Sequence, residues 1–177
     1  SDIFSQDNLT GLTLYQKNFE NLLIDKKNLS GSLFQNVLFE NMNIKNTQFI
    51  GVQFHNVTFK NSNLTNVDFS GSIMKKITFI DIILSNSTLN HLSGSLLFKN
   101  SNLTNVDFSY SEIDGTIFSN IDLRTSNLSH TIINDSKFID SNLDGLDILD
   151  IELKNAFFEN SNVNNVQLKD YFLFFTL

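Results

Sequence analysis

The side chains with most to offer chemically are three histidines and nineteen carboxylates. The sequence has no cysteine, which removes a thiolate nucleophile, a thiolate metal site and a disulfide framework together. His91, Tyr110, His130, Asp150 and Asp170 follow one another at near-constant spacing. Such residues meet only if the chain returns to the same place at each step of that spacing. In stacked β-layers, neighbours would then lie about 5 Å apart and the two histidines about 10 Å apart. Zinc needs ligand bonds of about 2 Å, so two histidines at that separation share no metal. The series is instead a candidate binding ridge. His55 stands alone, with no carboxylate one coil to either side of it, where Gln35 and Lys75 stand. Phosphate-binding glycine loops, HExxH and GxSxG are all absent, so no catalytic, cofactor or metal site is assigned and the chain is expected to be non-enzymatic.

The carboxylates are unevenly distributed. Residues 1–90 carry seven acidic and seven basic side chains, whereas residues 91–177 carry twelve against five; the whole net charge of −7 lies in the second half (12 − 5 = 7). Asp135, Asp140, Asp144, Asp147, Asp150, Glu152, Glu159 and Asp170 are candidate partner-binding residues there, together with His91, Tyr110 and His130. Acidity of this kind repels nucleic acid and steers basic protein surfaces. No apolar run approaches the roughly 18 residues of a membrane helix, so neither direct nucleic-acid binding nor membrane insertion is expected.

Something must hold these residues in place, and the sequence states it in its period. From Phe4 to Leu89 every fifth residue is apolar, and from Phe98 to Leu173 the same holds again, without one exception in 34 positions. Two residues before most of these centres sits a small or β-branched residue (Ser62, Val67, Ser72, Val106, Ser111, Ser141). Two residues after it, Asn, Gly or Asp predominates (Asn41, Asn61, Gly71, Asn100, Asp140, Gly145). Neither the helix period of 3.6 nor the strand period of 2 yields five. A short extended piece with two inward side chains followed by a corner does. Asn, Gly and Asp tolerate the left-handed backbone that such a corner needs. The absence of proline fits a chain whose turns are all of this one kind.

Four fives make a coil. Gly11, Gly31, Gly51 and Gly71 are 20 apart, and every fourth centre from Phe19 to Phe158 is Phe, with a single step of 19 between Phe79 and Phe98. The stretch from Phe59 to Ser72 recurs from Phe98 to Ser111 at an offset of 39, differing only where Gly71 gives way to Tyr110. Together these place a one-residue deletion between Leu92 and Ser95. The expected fold is all-β: a four-sided parallel solenoid of nearly nine coils, roughly 40 Å long, with Phe stacked on Phe and Asn on Asn along its length.

The units Ser62-Asn63-Leu64-Thr65-Asn66, Val67-Asp68-Phe69-Ser70-Gly71, Ser101-Asn102-Leu103-Thr104-Asn105 and Ser141-Asn142-Leu143-Asp144-Gly145 resemble the pentapeptide-repeat family over about residues 4–168. The resemblance implies a right-handed quadrilateral β-helix, here with a more crowded interior because Val, Ile, Leu and Thr often replace the usual Ala. It implies no enzymatic activity. Some members of similar length bind bacterial type II topoisomerases such as gyrase as mimics of duplex DNA, dimerise through their C-terminal ends and confer quinolone resistance. Related β-helices also occur as interaction modules of secreted bacterial effectors. The resemblance therefore implies a protein partner: a topoisomerase in the bacterial cytoplasm, or a host protein if the chain is delivered into a host cell. A structural scaffold of unknown partner is the remaining alternative.

Both ends depart from the pattern. Asp2, Asp7 and Lys17 occupy inward positions of the first coil, which is expected to be poorly formed. The domain spans 1–170, and the apolar segment 171–177 (Tyr171, Phe172, Leu173, Phe174, Phe175 and Leu177) either caps the last coil, makes a homodimer contact or docks on another domain. Ser1 in place of Met, with no signal peptide evident, is expected either of an engineered start or of a piece of a longer chain.

Overall fold

The computed structural model describes residues 2–148, 150–167 and 173–176. Asp170, Tyr171, Phe172 and Leu177 lie outside the described residues. A 3-10 helix (Asp2–Ser5) opens the chain, and everything after it is strand, bridge and turn: β1 (Thr13–Glu20), β2 (Leu23–Asp25), β3 (Leu33–Glu40), β4 (Asn43–Lys45), β5 (Gln53–Lys60), β6 (Asn63–Thr65), β7 (Ile73–Ile80), β8 (Ser93–Lys99), β9 (Ile117–Ser119), β10 (Lys137–Ile139), β11 (Ala156–Glu159) and β12 (Leu173–Thr176). Strands β1, β3, β5, β7, β8, β9, β10, β11 and β12 form one nine-stranded parallel sheet, while β2, β4 and β6 form a second of three. Isolated parallel bridges such as Asp68↔Thr88, Ile83↔Asn102 and Glu112↔Ile132 continue the ladder on the remaining faces. The result is a right-handed four-sided β-helix. No helix among the described residues is long and apolar enough to cross a membrane.

Each five-residue unit forms one side. Its centre points inward, and the centres from Phe34 to Phe158 are buried almost without exception. One coil alone would leave those side chains open above and below; stacking closes them into a continuous column. The Phe19 face shows this best. Successive rings from Phe39 to Phe158 stack at 4.7–5.5 Å with interplanar angles of 4–12°. The corners behave as their residue types require. Asn41, Asn61, Asn100, Asn120, Asp140 and Asn160 all take positive φ, and their amides bond along the rod, Asn61 Nδ2 donating to Asn41 Oδ1 (2.6 Å) and Asn120 Nδ2 to Asn100 Oδ1 (3.0 Å).

The inward serines do more than leave room. Ser111 is fully buried; its Oγ accepts from the Leu92 N–H of the coil before (3.0 Å) and donates to the Leu89 carbonyl (2.8 Å). Ser72, Ser87 and Ser141 make the same pair of bonds one coil back. The hydroxyl satisfies two corner groups that the strand ladder leaves over, which explains why Ser rather than Ala recurs there.

The missing residue lies where the sequence places it. Between β7 and β8 the register runs Met74↔Gly94, Lys75↔Ser95 and then Ile77↔Leu96, skipping Lys76. The deleted position is thus a corner. Gly94 turns the chain instead with φ +153, and a Cβ there would sit 2.7 Å from the Met74 carbonyl carbon and closer still to its oxygen. Only glycine fits this backbone.

The coil count needs a small correction. Eight rungs from Phe19 to Phe158 enclose seven complete turns, with partial turns outside them, rather than nearly nine coils. The first turn begins with a helical turn instead of a strand, and the last step, Ala156↔Leu173, is shorter than any regular coil before it. At the N-terminal end β1 pairs with β3 over its whole length, and Lys17 is exposed because no coil lies above it. At the other end β12 adds a ninth parallel strand beside β11, with Phe157↔Phe174 and Phe158↔Phe175 in register.

Candidate protein-binding surface

The corner between the Leu9 face and the Leu14 face changes character halfway along the rod. In the first four coils it is Gly11, Gly31, Gly51 and Gly71, at φ +64 to +71, and a Cβ at any of them would meet nothing within 4 Å. His91 (φ 55), Tyr110 (φ 61) and His130 (φ 55) then take over with the same left-handed backbone. A non-glycine residue there costs roughly 1–2 kcal/mol. The open space beside the glycines shows that bulk, not conformation, is what the larger residues add. Their rings stack: His91 on Tyr110 at 5.2 Å and 7°, Tyr110 on His130 at 4.8 Å and 14°. Each stacked pair returns about 0.5–1.5 kcal/mol, so the ladder roughly offsets its own strain. Tyr110 remains 55% exposed. The sequence-level column is therefore a continuous aromatic edge, three rungs long, facing solvent.

Carboxylates border this edge. Asp107 and Glu112 flank Tyr110 in sequence on either side of the corner, and Asp150 follows His130 in the same column. Asp147 and Asp150 line one depression of about 270 Å³, together with Arg124, Ser129 and Gly145. On the Leu9 face the last bridge among the described residues is Asp107↔Asn127, and the depression opens one coil further on, where that ladder has stopped. Glu152 sits on the adjoining face, where Asn134 Nδ2 donates to it (2.8 Å) and Lys154 Nζ approaches to 3.4 Å. Those two contacts, the Asn134 hydrogen bond first, hold its carboxyl below the usual range.

The other acidic candidates are scattered around the rod. Asp135 is an exposed corner residue accepting from Asn155 Nδ2 (3.2 Å), and Asp140 is a member of the Asn ladder, accepting from Asn160 Nδ2 (2.6 Å). Asp144 accepts from Asn165 Nδ2 (2.9 Å), and Glu159 ends β11 on the Phe19 face. Four sides separate what one half of the sequence lists together. Asp147, Asp150 and Glu152 share the neighbourhood of the aromatic edge; Asp140, Asp144 and Glu159 do not.

One residue at this surface has no counterpart in the sequence reasoning. Arg124, the chain's single arginine, grips Asp122 through Nε (3.0 Å) and Nη2 (2.7 Å). The hydrogen bond holds Asp122 below the usual carboxylate range and Arg124 above its own. The signal was available: residues 122 and 124 flank the inward Leu123, so both must point outward on the same face. Among the described residues no three metal-binding side chains converge.

Against known proteins, eight copies of the pentapeptide-repeat model match, within residues 28–61 and 114–145. A sequence search of curated proteins returns no significant match. Among solved structures, a trypsin-treated form of QnrB1, a plasmid-mediated fluoroquinolone resistance protein, superposes with a TM-score of 0.77 at 14% identity, covering 92% of this chain and 90% of that one. Full-length QnrB1 gives a TM-score of 0.59 at 16% identity over 86% of this chain and 94% of that one. HetL, from the cyanobacterium Nostoc, gives 0.43 at 11% identity over 94% and 88%. At 14–16% identity the likeness to QnrB1 is one of fold.

Proposed function

The chain belongs to the pentapeptide-repeat family, and from that premise we propose that it is a protein-binding rod that acts on a bacterial type II topoisomerase by occupying part of its duplex-binding surface. The observation that carries this reading is the acidic half built around the aromatic edge, on a rod whose fold matches a fluoroquinolone resistance protein along nearly its whole length. A topoisomerase groove that receives DNA is basic, and it selects a negative body of rod-like shape.

Charge density sets how strong such mimicry is. Residues 91–177 carry a net −7 over a little more than four coils, or about 21 Å, hence one charge per about 3 Å. Duplex DNA carries one per about 1.7 Å, so the rod has roughly half its density. It competes with DNA by shape and local contacts as much as by charge, and its site of action is the bacterial cytoplasm. No side chain needs to perform chemistry for this.

The test is gyrase supercoiling, with and without a fluoroquinolone, at micromolar rod. Inhibition of supercoiling or protection from drug-induced cleavage is expected, weakening on Asp147→Asn with Asp150→Asn and at higher salt. No effect on either readout refutes the topoisomerase reading and leaves a binding rod for another protein.

A further inference from the structure

The side of the rod opposite the acidic Leu9 face has a different composition. On the Phe19 face each rung presents two outward residues, one before and one after the buried Phe. Across the five central rungs (β5, β7, β8, β9 and β10) these ten positions hold no carboxylate. Lys60, Lys99 and Lys137 are exposed there, and between them Ile80, Leu97, Ile117 and Ile139 are half-buried against their neighbours in the sheet. The remaining three are Thr or Ser. In a chain of net charge −7, these two columns hold lysine and aliphatic side chains and no carboxylate, with Asp81 and Asp140 standing at the corner beside them. The strip has ends: Glu40 stands one rung before it and Glu159 one rung after.

We propose that this strip is a second docking surface, for an acidic amphipathic helix of a partner protein. The geometry selects the occupant. Five rungs span about 19 Å, the length of about 13 helical residues at 1.5 Å each. Lys60 and Lys99 lie two rungs apart in one column, a separation of about 10 Å, and Lys137 ends the other column, in line with Leu97 and Ile117. A helix lying along the rod repeats a side chain every seven residues, about 10.5 Å. Carboxylates at that interval meet Lys60 and Lys99 while the aliphatic stripe of the helix covers Leu97 and Ile117 in the adjacent column. Glu40 and Glu159 repel a longer acidic run and so fix its register. Nucleic acid satisfies the lysines but offers nothing apolar to the aliphatic residues between them. The surface goes beyond the topoisomerase reading and does not depend on it, because it uses another face.

The experiment uses the full ¹⁵N-labelled chain and an 18-residue synthetic helix with Leu along one stripe and Glu at seven-residue intervals beside it. Shift changes confined to β5–β10 are expected, with affinity falling at least tenfold on Lys99→Glu and on Ile117→Asn. Lys75→Glu, on the adjoining face, leaves it unchanged. Lys99 is exposed and its replacement leaves the core intact, so the result stands even if Ile117→Asn unfolds. Shift changes centred on the acidic faces, or binding indifferent to Lys99→Glu, overturn the proposal. So does binding of anionic vesicles or of duplex DNA to this face in place of the peptide. Supercoiling inhibition measured on Lys99→Glu separates the two surfaces: it persists if the acidic face alone carries the topoisomerase contact.

Discussion

Gly94→Ala is the sharpest perturbation this fold allows. Gly94 closes a corner from which one residue has been deleted, with φ +153, and the added methyl carbon would lie 2.7 Å from the Met74 carbonyl carbon. Ordinary contact there begins at 3.4 Å, so the two strands must part by about an ångström or the φ must change. The conformation itself costs about 1–3 kcal/mol for any residue with a side chain. Parting the strands stretches the Met74↔Gly94 rung, and changing φ instead turns the Gly94 N–H away from the Glu112 carbonyl (3.0 Å) on the next coil. Each lost bond adds about 0.5–1.5 kcal/mol. The sum is about 2–6 kcal/mol. Gly71→Ala is the internal control: φ is +66, nothing lies within 4 Å, and the expected loss is only about 1–2 kcal/mol. Urea denaturation followed by far-UV circular dichroism measures both, and the m-value reports whether the rod still unfolds as one unit. A loss below about 1.5 kcal/mol for Gly94→Ala, or one no greater than for Gly71→Ala, refutes the claim that this corner admits only glycine.

Ser111→Ala orphans the Leu92 N–H and the Leu89 carbonyl, both buried, and is expected to cost about 1–3 kcal/mol by urea denaturation. Phe118→Ala removes a fully buried ring stacked at 5.5 and 5.1 Å on its neighbours, and about 3–5 kcal/mol is expected to go with it. Asp122→Asn tests acid stability. The folded carboxyl is held below its unfolded value by Arg124, so its contribution is present above the ordinary carboxylate range and is lost as pH falls through the depressed value. The variant is expected to lose under about 1 kcal/mol at pH 7, because the pair is half exposed, and to show a shallower fall in melting temperature between pH 5 and 3.

Fold and site differ in how far the sequence reaches. A period of five with a small residue, an apolar centre and a left-handed corner admits one kind of structure, because every unit meets the same neighbours above and below. The Phe stack, the Asn ladder and the deletion between Leu92 and Ser95 follow from counting alone. So does the His91–Tyr110–His130 column, because side chains one coil apart are stacked neighbours in a solenoid. The twofold role of Ser111 was not legible, since a hydroxyl and a methyl are both small and only the coil's closure brings Leu92 N–H and the Leu89 carbonyl within reach.

The acidic candidates illustrate the same boundary. Asp140, Asp144 and Asp147 are close in sequence, yet each falls on a different side, because a corner after every fifth residue turns the next outward position by about a quarter of a revolution. Sequence by itself determined the four-sided rod, its stacking columns and the uneven charge between its halves, all consequences of a repeat short enough that local and neighbouring-coil contacts coincide. Tertiary structure alone decided that β12 pairs beside β11 and that a depression opens beside Asp147. It also decided that lysine and aliphatic residues gather on the face opposite the acidic one. Those features arise where the repeat is broken or where side chains from separate coils share one surface, and no local rule constrains either.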